Sequence, residues 1–346
     1  MAAARSMFLV SVKVQDRKRD MQAKSGTMNE QMVNRSSGSA TSAARYKAFM
    51  SRSMPADEER LMLDTYEATI RPITLADRPL MHELTVAVFW PHRAHDLDAF
   101  LSLGKGYIAL DEIGRPIGSA MYFPMGSDFA MCGMMVTTPR LQALGAGRRL
   151  LRRILKDCEG LDLRLSATKS GFSLYESAGF ETVGAIWQQQ GVARPIHMPD
   201  LAHGLTLRPL EASDRGAIHA LDSHAYGANR PEVLDAMLHL STGVVVERDG
   251  AVCGFAMMRP FGKGIVIGPV VAEDDQMAMC LCAPLIQQCE GRFVRLDTPQ
   301  QSEHFKAFLS AAGMGVYDTV TEMHLGGFRR ATENAQTYGL SSHSLG

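Results

Sequence analysis

One block of sequence occurs twice, and that limits the possible folds more than any other feature of the chain. Ile70-Arg71-Pro72-Ile73, with Asp77-Arg78 and His82-Glu-Leu84, returns as Leu207-Arg208-Pro209-Leu210, with Asp214-Arg215 and His219-Ala-Leu221, at a shift of 137. The register persists downstream. Gly114-Arg-Pro-Ile-Gly118 matches Gly250-Ala-Val-Cys-Gly254 at 136, and Gly133-Met-Met-Val136 matches Gly268-Pro-Val-Val271 at 135. Two copies of one unit make two domains of one fold. The boundary falls at residues 194–204, where Pro195, Pro199 and Gly204 punctuate the chain. The expected layout is a disordered N-terminal tail over 1–66, domains over 67–194 and 204–328, and a flexible C-terminal tail over 329–346.

Composition narrows the function classes. The 346 residues are 46% hydrophobic and 21% charged, the balance of a soluble globular protein. No apolar run approaches the roughly 18 residues that a membrane helix needs, so a membrane partner is not expected. Net charge is −1, and residues 1–53, with ten Lys/Arg against three Asp/Glu, leave the remainder acidic. An acidic body argues against nucleic acid as a partner. The Ser-rich, basic leader reads as a dispensable tail, an organelle transit peptide or a start codon placed too early. The six cysteines lack paired spacing and sit mostly in apolar runs, which suits reduced core residues in the cytoplasm. Cys280, Cys282 and Cys289 on one helix do not converge, so no metal is expected.

The first copy reads as β-α-α-β-β-β-α-β-α-β. Its centre is the apolar strand Phe129-Ala-Met-Cys-Gly-Met-Met-Val136, then Gln142-Ala-Leu-Gly145-Ala-Gly147-Arg148, then a helix with Leu150, Leu151, Ile154 and Leu155 on one face. Bare backbone N–H groups at the positive end of a helix suit an anion such as a diphosphate. A Walker loop needs Lys-Ser/Thr where Arg148-Arg149 stand, and a dinucleotide fingerprint needs a glycine where Leu150 stands.

Gln142-x-x-Gly145-x-Gly147 after a buried strand resembles the Q/R-x-x-G-x-G/A coenzyme A loop of the GNAT superfamily of acyl-CoA N-acyltransferases. Leu174-Tyr175-Glu176-Ser177-Ala178-Gly179-Phe180 is similar to the same superfamily's "LYEKLGF" signature, downstream in the expected order. The resemblance covers residues 67–190. It implies an α+β fold in which each domain is a mixed, largely antiparallel sheet flanked by helices, splayed open at the strand before the loop. In the second copy Glu273-Asp274-Asp275 replace the loop and Phe308-Leu-Ser-Ala-Ala-Gly313-Met314 replaces the tyrosine motif. Carboxylates there suit a helix start but repel a diphosphate. The second copy is thus expected to be a degenerate GNAT-like domain.

By the same resemblance, acetyl-CoA is the co-substrate. Gln142, Ala143, Leu144, Gly145, Ala146, Gly147 and Arg148 would bind its diphosphate, helped by Arg149, Arg152, Arg153 and Lys156. The backbone of Met134, Met135 and Val136 would pair with the pantetheine arm and polarise the thioester. Tyr175 would protonate the leaving thiolate. An amine also needs a base, and here the candidates stay open: Asp128, Glu83, His92 and His95. The expected activity is direct acetyl transfer to a primary amine of a small molecule or peptide. The rival expectations are an acyl-CoA sensor without turnover and a purely structural tandem module.

Overall fold

The computed structural model describes residues 38–51, 60–63, 66–139 and 145–346. The first half runs α1 (Gly38–Ser51), β1 (Arg60–Leu63), β2 (Tyr66–Pro72), α2 (Arg78–Ala87), α3 (Ala94–Leu103), β3 (Lys105–Asp111), β4 (Pro116–Met125), β5 (Phe129–Thr137), α4 (Ala146–Asp157), β6 (Asp162–Ala167), α5 (Phe172–Ser177) and β7 (Glu181–Val192). The second repeats it: β8 (Leu205–Pro209), α6 (Arg215–Tyr226), α7 (Pro231–Leu240), β9 (Thr242–Arg248), β10 (Ala251–Phe261), β11 (Gly264–Ala272), α8 (Asp275–Gln287), β12 (Phe293–Thr298), α9 (Glu303–Ala311) and β13 (Gly315–Leu325). A last strand, β14 (Gln336–Gly339), has no counterpart in the first half.

The repeated motif has a mechanical reason. Arg71 grips Asp77 through two bonds of 2.8 and 2.6 Å, and Asp77 accepts from Thr74 N to cap the turn leading into α2. Arg208 grips Asp214 at 2.8 and 2.7 Å, and Asp214 accepts from Glu211 N. In both copies the fork ties the end of the first strand to the start of the first helix. A second cross-brace recurs twenty residues apart, Arg78 to Asp98 and Arg215 to Asp235.

Each half is a mixed sheet with helices on its faces, yet the two sheets are one. The strand order is β1-β2-β3-β4-β5-β6-β13-β7-β12-β11-β10-β9-β8. The halves exchange their closing strands: β13 lies against β6 of the first half, and β7 lies against β12 of the second. Between them β7 and β13 pair antiparallel along most of their length. Strands β4 and β5 are buried almost throughout because helices cover both faces, which explains their unbroken apolar runs.

The sheet opens at two places. β5 and β6 run parallel and pair only from Phe129 with Asp162 to Cys132 with Leu165, after which they diverge. β11 and β12 pair only at Ile265 with Val294 and Val266 with Arg295. Both divergences follow a register shift against the preceding strand, at Ser119/Met121 and at Ala256/Met258. Each shift is a bulge that twists the strand out of the ladder.

Two expectations about the tails require correction within the described residues; residues 1–37 and 52–59 of the first tail lie outside them. The N-terminal segment holds α1, whose Phe49 is buried and whose Phe49 carbonyl accepts from Arg152 Nε at 2.9 Å, and β1 pairs with β2. The Ala- and Ser-rich composition hid a helix with few but well-seated anchors. The C-terminal segment is not a loose tail either. β14 pairs with β11 inside the second opening, and Tyr338, Leu340, Ser341, Ser342, Ser344 and Leu345 are buried.

Candidate active site

The first opening carries the residues singled out by sequence. α4 starts at Gly145, whose φ of 94° is left-handed, a conformation that glycine adopts without strain. Leu150, Leu151, Ile154 and Leu155 are buried as the periodicity predicts. The backbone of Gly145, Ala146, Gly147 and Arg148 forms the helix N-terminus, while Gln142, Ala143 and Leu144 lie outside the described residues. The basic face divides. Arg152 is buried against Phe49, and Arg153 lies over Tyr107 at 5.2 Å, so both hold structure together. Arg148, stacked on Phe49 at 4.8 Å, and Arg149 stand in the first turn.

Among the described residues, no strand pairs with the β6-facing edge of β5 at residues 133–136. Met134 sits in the bulge with φ 48°, and its carbonyl accepts from Ser119 Oγ at 2.8 Å. A non-glycine residue held left-handed is strained and is kept there by surrounding structure. Next to this edge lies a cavity of about 310 Å³, lined by Cys132, Gly133, Met134, Met135 and Tyr175. Tyr175 is buried edge-on to Phe180, with ring centroids 5.9 Å apart. Burial, and secondarily Cys132, pushes its hydroxyl well above the usual phenol range, so it is a firmly protonated donor. Burial likewise drives the Cys132 thiol up, with Cys158 adding to the effect.

Of the four base candidates, only His92 reaches this cavity. Asp128 pairs with Arg329 at 2.8 Å, Glu83 is exposed on α2, and exposed His95 lies 3.2 Å from Asp96. His92 is packed edge-on among Trp90, Phe100 and Phe261. Burial, then the charges of Arg295, His343 and Arg259, lowers its pKa to about 3. The ring is therefore neutral at physiological pH and too weak a base to hold an amine's proton.

The far wall comes from the second half. Phe261, Gly262 and Lys263 of the β10–β11 turn line it, with Arg295, Asp318 and His343. That turn is fastened to the first half where Gly262 N donates to Asp96 Oδ2 at 3.0 Å, the carboxylate oxygen that also caps α3 through Arg93 N at 2.8 Å. Sequence reasoning missed the residues of β12 and of the C-terminal segment. Ser341-Ser-His-Ser-Leu-Gly346 has the composition of a loose end, and no local pattern announces its burial.

The second opening is built differently. Asp274 caps α8 by accepting from Met277 N at 2.8 Å, and Glu273 is paired with Arg248. Asp275 accepts from Tyr338 Oη of β14 at 3.0 Å and from Ser302 Oγ. The edge of β11 that corresponds to the open edge of β5 is covered by β14, with Val271 opposite Thr337 and Ala272 opposite Gln336. Asp275, one of the carboxylates that replace the glycine loop, thus fastens the chain's own strand in the gap.

Two family models, each described as an acetyltransferase (GNAT) domain, match residues 87–198 and 218–339, one on each half. The chain is a tandem GNAT protein. A Bacillus subtilis (strain 168) relative, described as the uncharacterized N-acetyltransferase YitH, is 28% identical over 262 residues, covering 74% of this chain and 91% of that one. A solved structure from Pyrococcus horikoshii superposes with a TM-score of 0.67 at 19% identity, over 84% of this chain and 99% of the other. A tandem GNAT protein from the clavulanic acid biosynthesis pathway superposes at 0.55 and 15%, over 75% and 98%. At such identities the two structures speak for the fold alone. Among the described residues of this tandem GNAT protein, no helix is long and apolar enough to cross a membrane.

Proposed function

We propose that this tandem GNAT acetyltransferase moves an acetyl group from acetyl-CoA directly to a primary amine of a small molecule or peptide, using only its first half. The observation that carries the reading is the asymmetry of the two openings. Among the described residues no strand pairs with the β6-facing edge of β5 at residues 133–136, beside a cavity and a left-handed glycine helix start, while its counterpart is closed by β14.

Backbone N–H groups at Gly145, Ala146, Gly147 and Arg148 meet the diphosphate, where the helix dipole favours negative charge. The pantetheine amides pair with Met134, Met135 and Val136 as an added strand would. This leads the thioester into the cavity, where a backbone N–H of the bulge polarises its carbonyl. The amine nitrogen attacks the carbonyl carbon, the C–N bond forms and the C–S bond breaks. Tyr175 gives its proton to the departing sulfur and regains one from the nitrogen. Direct transfer is favoured over an acyl-enzyme because Cys132, the cysteine that lines the cavity, is held as an unreactive thiol. A cavity of about 310 Å³ suits a small acceptor or one residue of a larger one.

The test is thiol release from acetyl-CoA with a panel of polyamines, amino acids, aminoglycosides and peptide N-termini. Amine-dependent release with a matching acetylated product is expected. Tight coenzyme binding with no release for any amine would instead favour a sensor.

A further inference from the structure

The last residues of the chain connect the two openings. After β14 fills the second one, Leu340 N donates to Asp297 O at 2.9 Å, and Arg259 Nη2 donates to Ser341 O at 2.9 Å. The segment then crosses to the first half. Ser344 lies so close to Gly133 that a Cβ there would stand 2.6 Å from Ser344 Oγ. Gly268, the counterpart of Gly133, is packed against Leu340 in the same way. Both bulge glycines are therefore required by one segment, which touches β5 of the first half at Ser344. Arg230 clamps that end, donating to Leu345 O at 2.6 Å and Gly346 O at 2.9 Å.

Residue 343 is held between these fixed points, in the wall of the cavity and next to the residue that contacts the bulge. We propose that His343 is the proton acceptor for the amine, with Asp297 positioning its ring; this rests on the acetyl-transfer reading above. His343 Nε2 lies 3.3 Å from Asp297 Oδ2, and Asp297 is fully buried. Burial works to raise the Asp297 carboxyl, but the Arg295 charge and the contact with the His343 ring outweigh it and hold the group ionised far below the usual range. In the tautomer that turns Nε2–H toward this carboxylate, Nδ1 keeps the lone pair. An Asp–His pair is a general-base arrangement, with the carboxylate fixing tautomer and orientation.

The surroundings separate this imidazole from the other one in the cavity. Among the described residues His92 has no carboxylate partner and its Nδ1 is buried without a hydrogen bond, and burial, then Arg295, His343 and Arg259, disfavours its protonation. The charged and titratable groups around His343 are Asp297 and Arg295 on β12, Arg259 on β10, His92 before α3, and Lys263 and Asp318 elsewhere on the cavity wall. Among them Asp297 is the buried carboxylate that meets the ring directly. Arg295 Nη2, at 3.4 Å from the same nitrogen, is itself committed to Asp297 at 2.7 Å.

The ammonium form of the acceptor passes one proton to His343 Nδ1, giving an imidazolium paired with Asp297, and the freed lone pair attacks the acyl carbon. The C–N bond forms, the C–S bond breaks, and the thiolate is protonated through Tyr175 at the expense of the second nitrogen proton. His343 then releases its proton to water, so one proton appears in solution per turnover.

The experiment uses the full chain with acetyl-CoA and whichever amine turns over fastest. His343→Gln is expected to lower kcat/KM about a hundredfold at pH 7, within the range for loss of a general base, and to leave the acetyl-CoA dissociation constant unchanged. The pH–rate profile is followed between about pH 5 and 8, and the rising limb expected of the wild type should vanish in the variant. In His343→Ala, added imidazole should restore part of the rate. His343→Gln turning over within about threefold of wild type across this range overturns the proposal. So does a slow variant that keeps the rising limb and is not rescued by imidazole, because the ring would then be only a wall. A wild-type chain that binds acetyl-CoA but acetylates no amine overturns the parent reading, and this one with it.

Discussion

Arg230 offers the sharpest test of the C-terminal segment as part of the core. Its guanidinium is fully buried, bonds Asp222 through two contacts of 2.7 Å, holds two carbonyls of the chain end, and stacks on Tyr226 at 3.9 Å. Arg230→Met preserves the apolar stem but strands the Asp222 carboxylate, whose side chain is 1% exposed, without its partner. Breaking a buried pair in this way costs about 3–5 kcal/mol. The two released carbonyls add roughly 1 kcal/mol each where they stay dry. A total of about 5–7 kcal/mol is a large share of the 5–15 kcal/mol typical of a folded protein. With a slope of about 3 kcal/mol per M, the urea midpoint should drop by roughly 2 M. Arg230→Met with Asp222→Leu should recover much of that loss, because the stranded charge, rather than the absent bonds, carries most of it. A single variant melting within about 0.3 M of wild type, or a double variant less stable than the single, would refute the reasoning.

Three further outcomes follow from the same geometry. Tyr175→Phe should lower kcat by about a hundredfold with coenzyme affinity nearly unchanged, measured by stopped thiol release and calorimetry; normal turnover would leave the tyrosine as a packing partner of Phe180. Calorimetry should find one acetyl-CoA per chain, because β14 occupies the second opening, and Gly145→Glu should abolish that binding while circular dichroism stays native; a stoichiometry of two removes the argument. Asp77 is held at a pKa of about 2, below its ordinary 3.8, first by the Arg71 hydrogen bonds. A depressed carboxylate stabilises the fold above the unfolded value and loses that contribution as pH falls from about 4 towards 2. Because Arg71 is 38% exposed, solvent screening leaves only about 1 kcal/mol. Asp77→Asn should cost about that at pH 7 and much less at pH 2, and urea midpoints that shift equally at both would contradict it.

Much of the candidate site was legible because its signals are local. A left-handed glycine opening a helix, the buried face of α4 and the tyrosine after β6 each follow from residues within one or two turns of one another. His92 was readable as a candidate but not as a neutral one. Its low pKa comes from burial and from Arg295, His343 and Arg259, residues more than 160 positions away in the chain. His343 itself gave no signal, since nothing in a Ser- and Gly-rich end distinguishes a solvated tail from one inserted between two halves.

The repeat, the fold of each half, and the loss of the glycine loop in the second copy were determined by sequence alone. Those features depend on backbone preference, apolar periodicity and short-range capping, which act between neighbours. The exchange of β7 and β13 between halves, the closing of one opening by β14, and the meeting of Asp297 with His343 were decided only by tertiary structure. A strand edge accepts any backbone that reaches it in register, because N–H and C=O groups are the same in every residue. Which segment fills which gap is therefore settled by where the packed halves leave an edge open and how far the chain can reach.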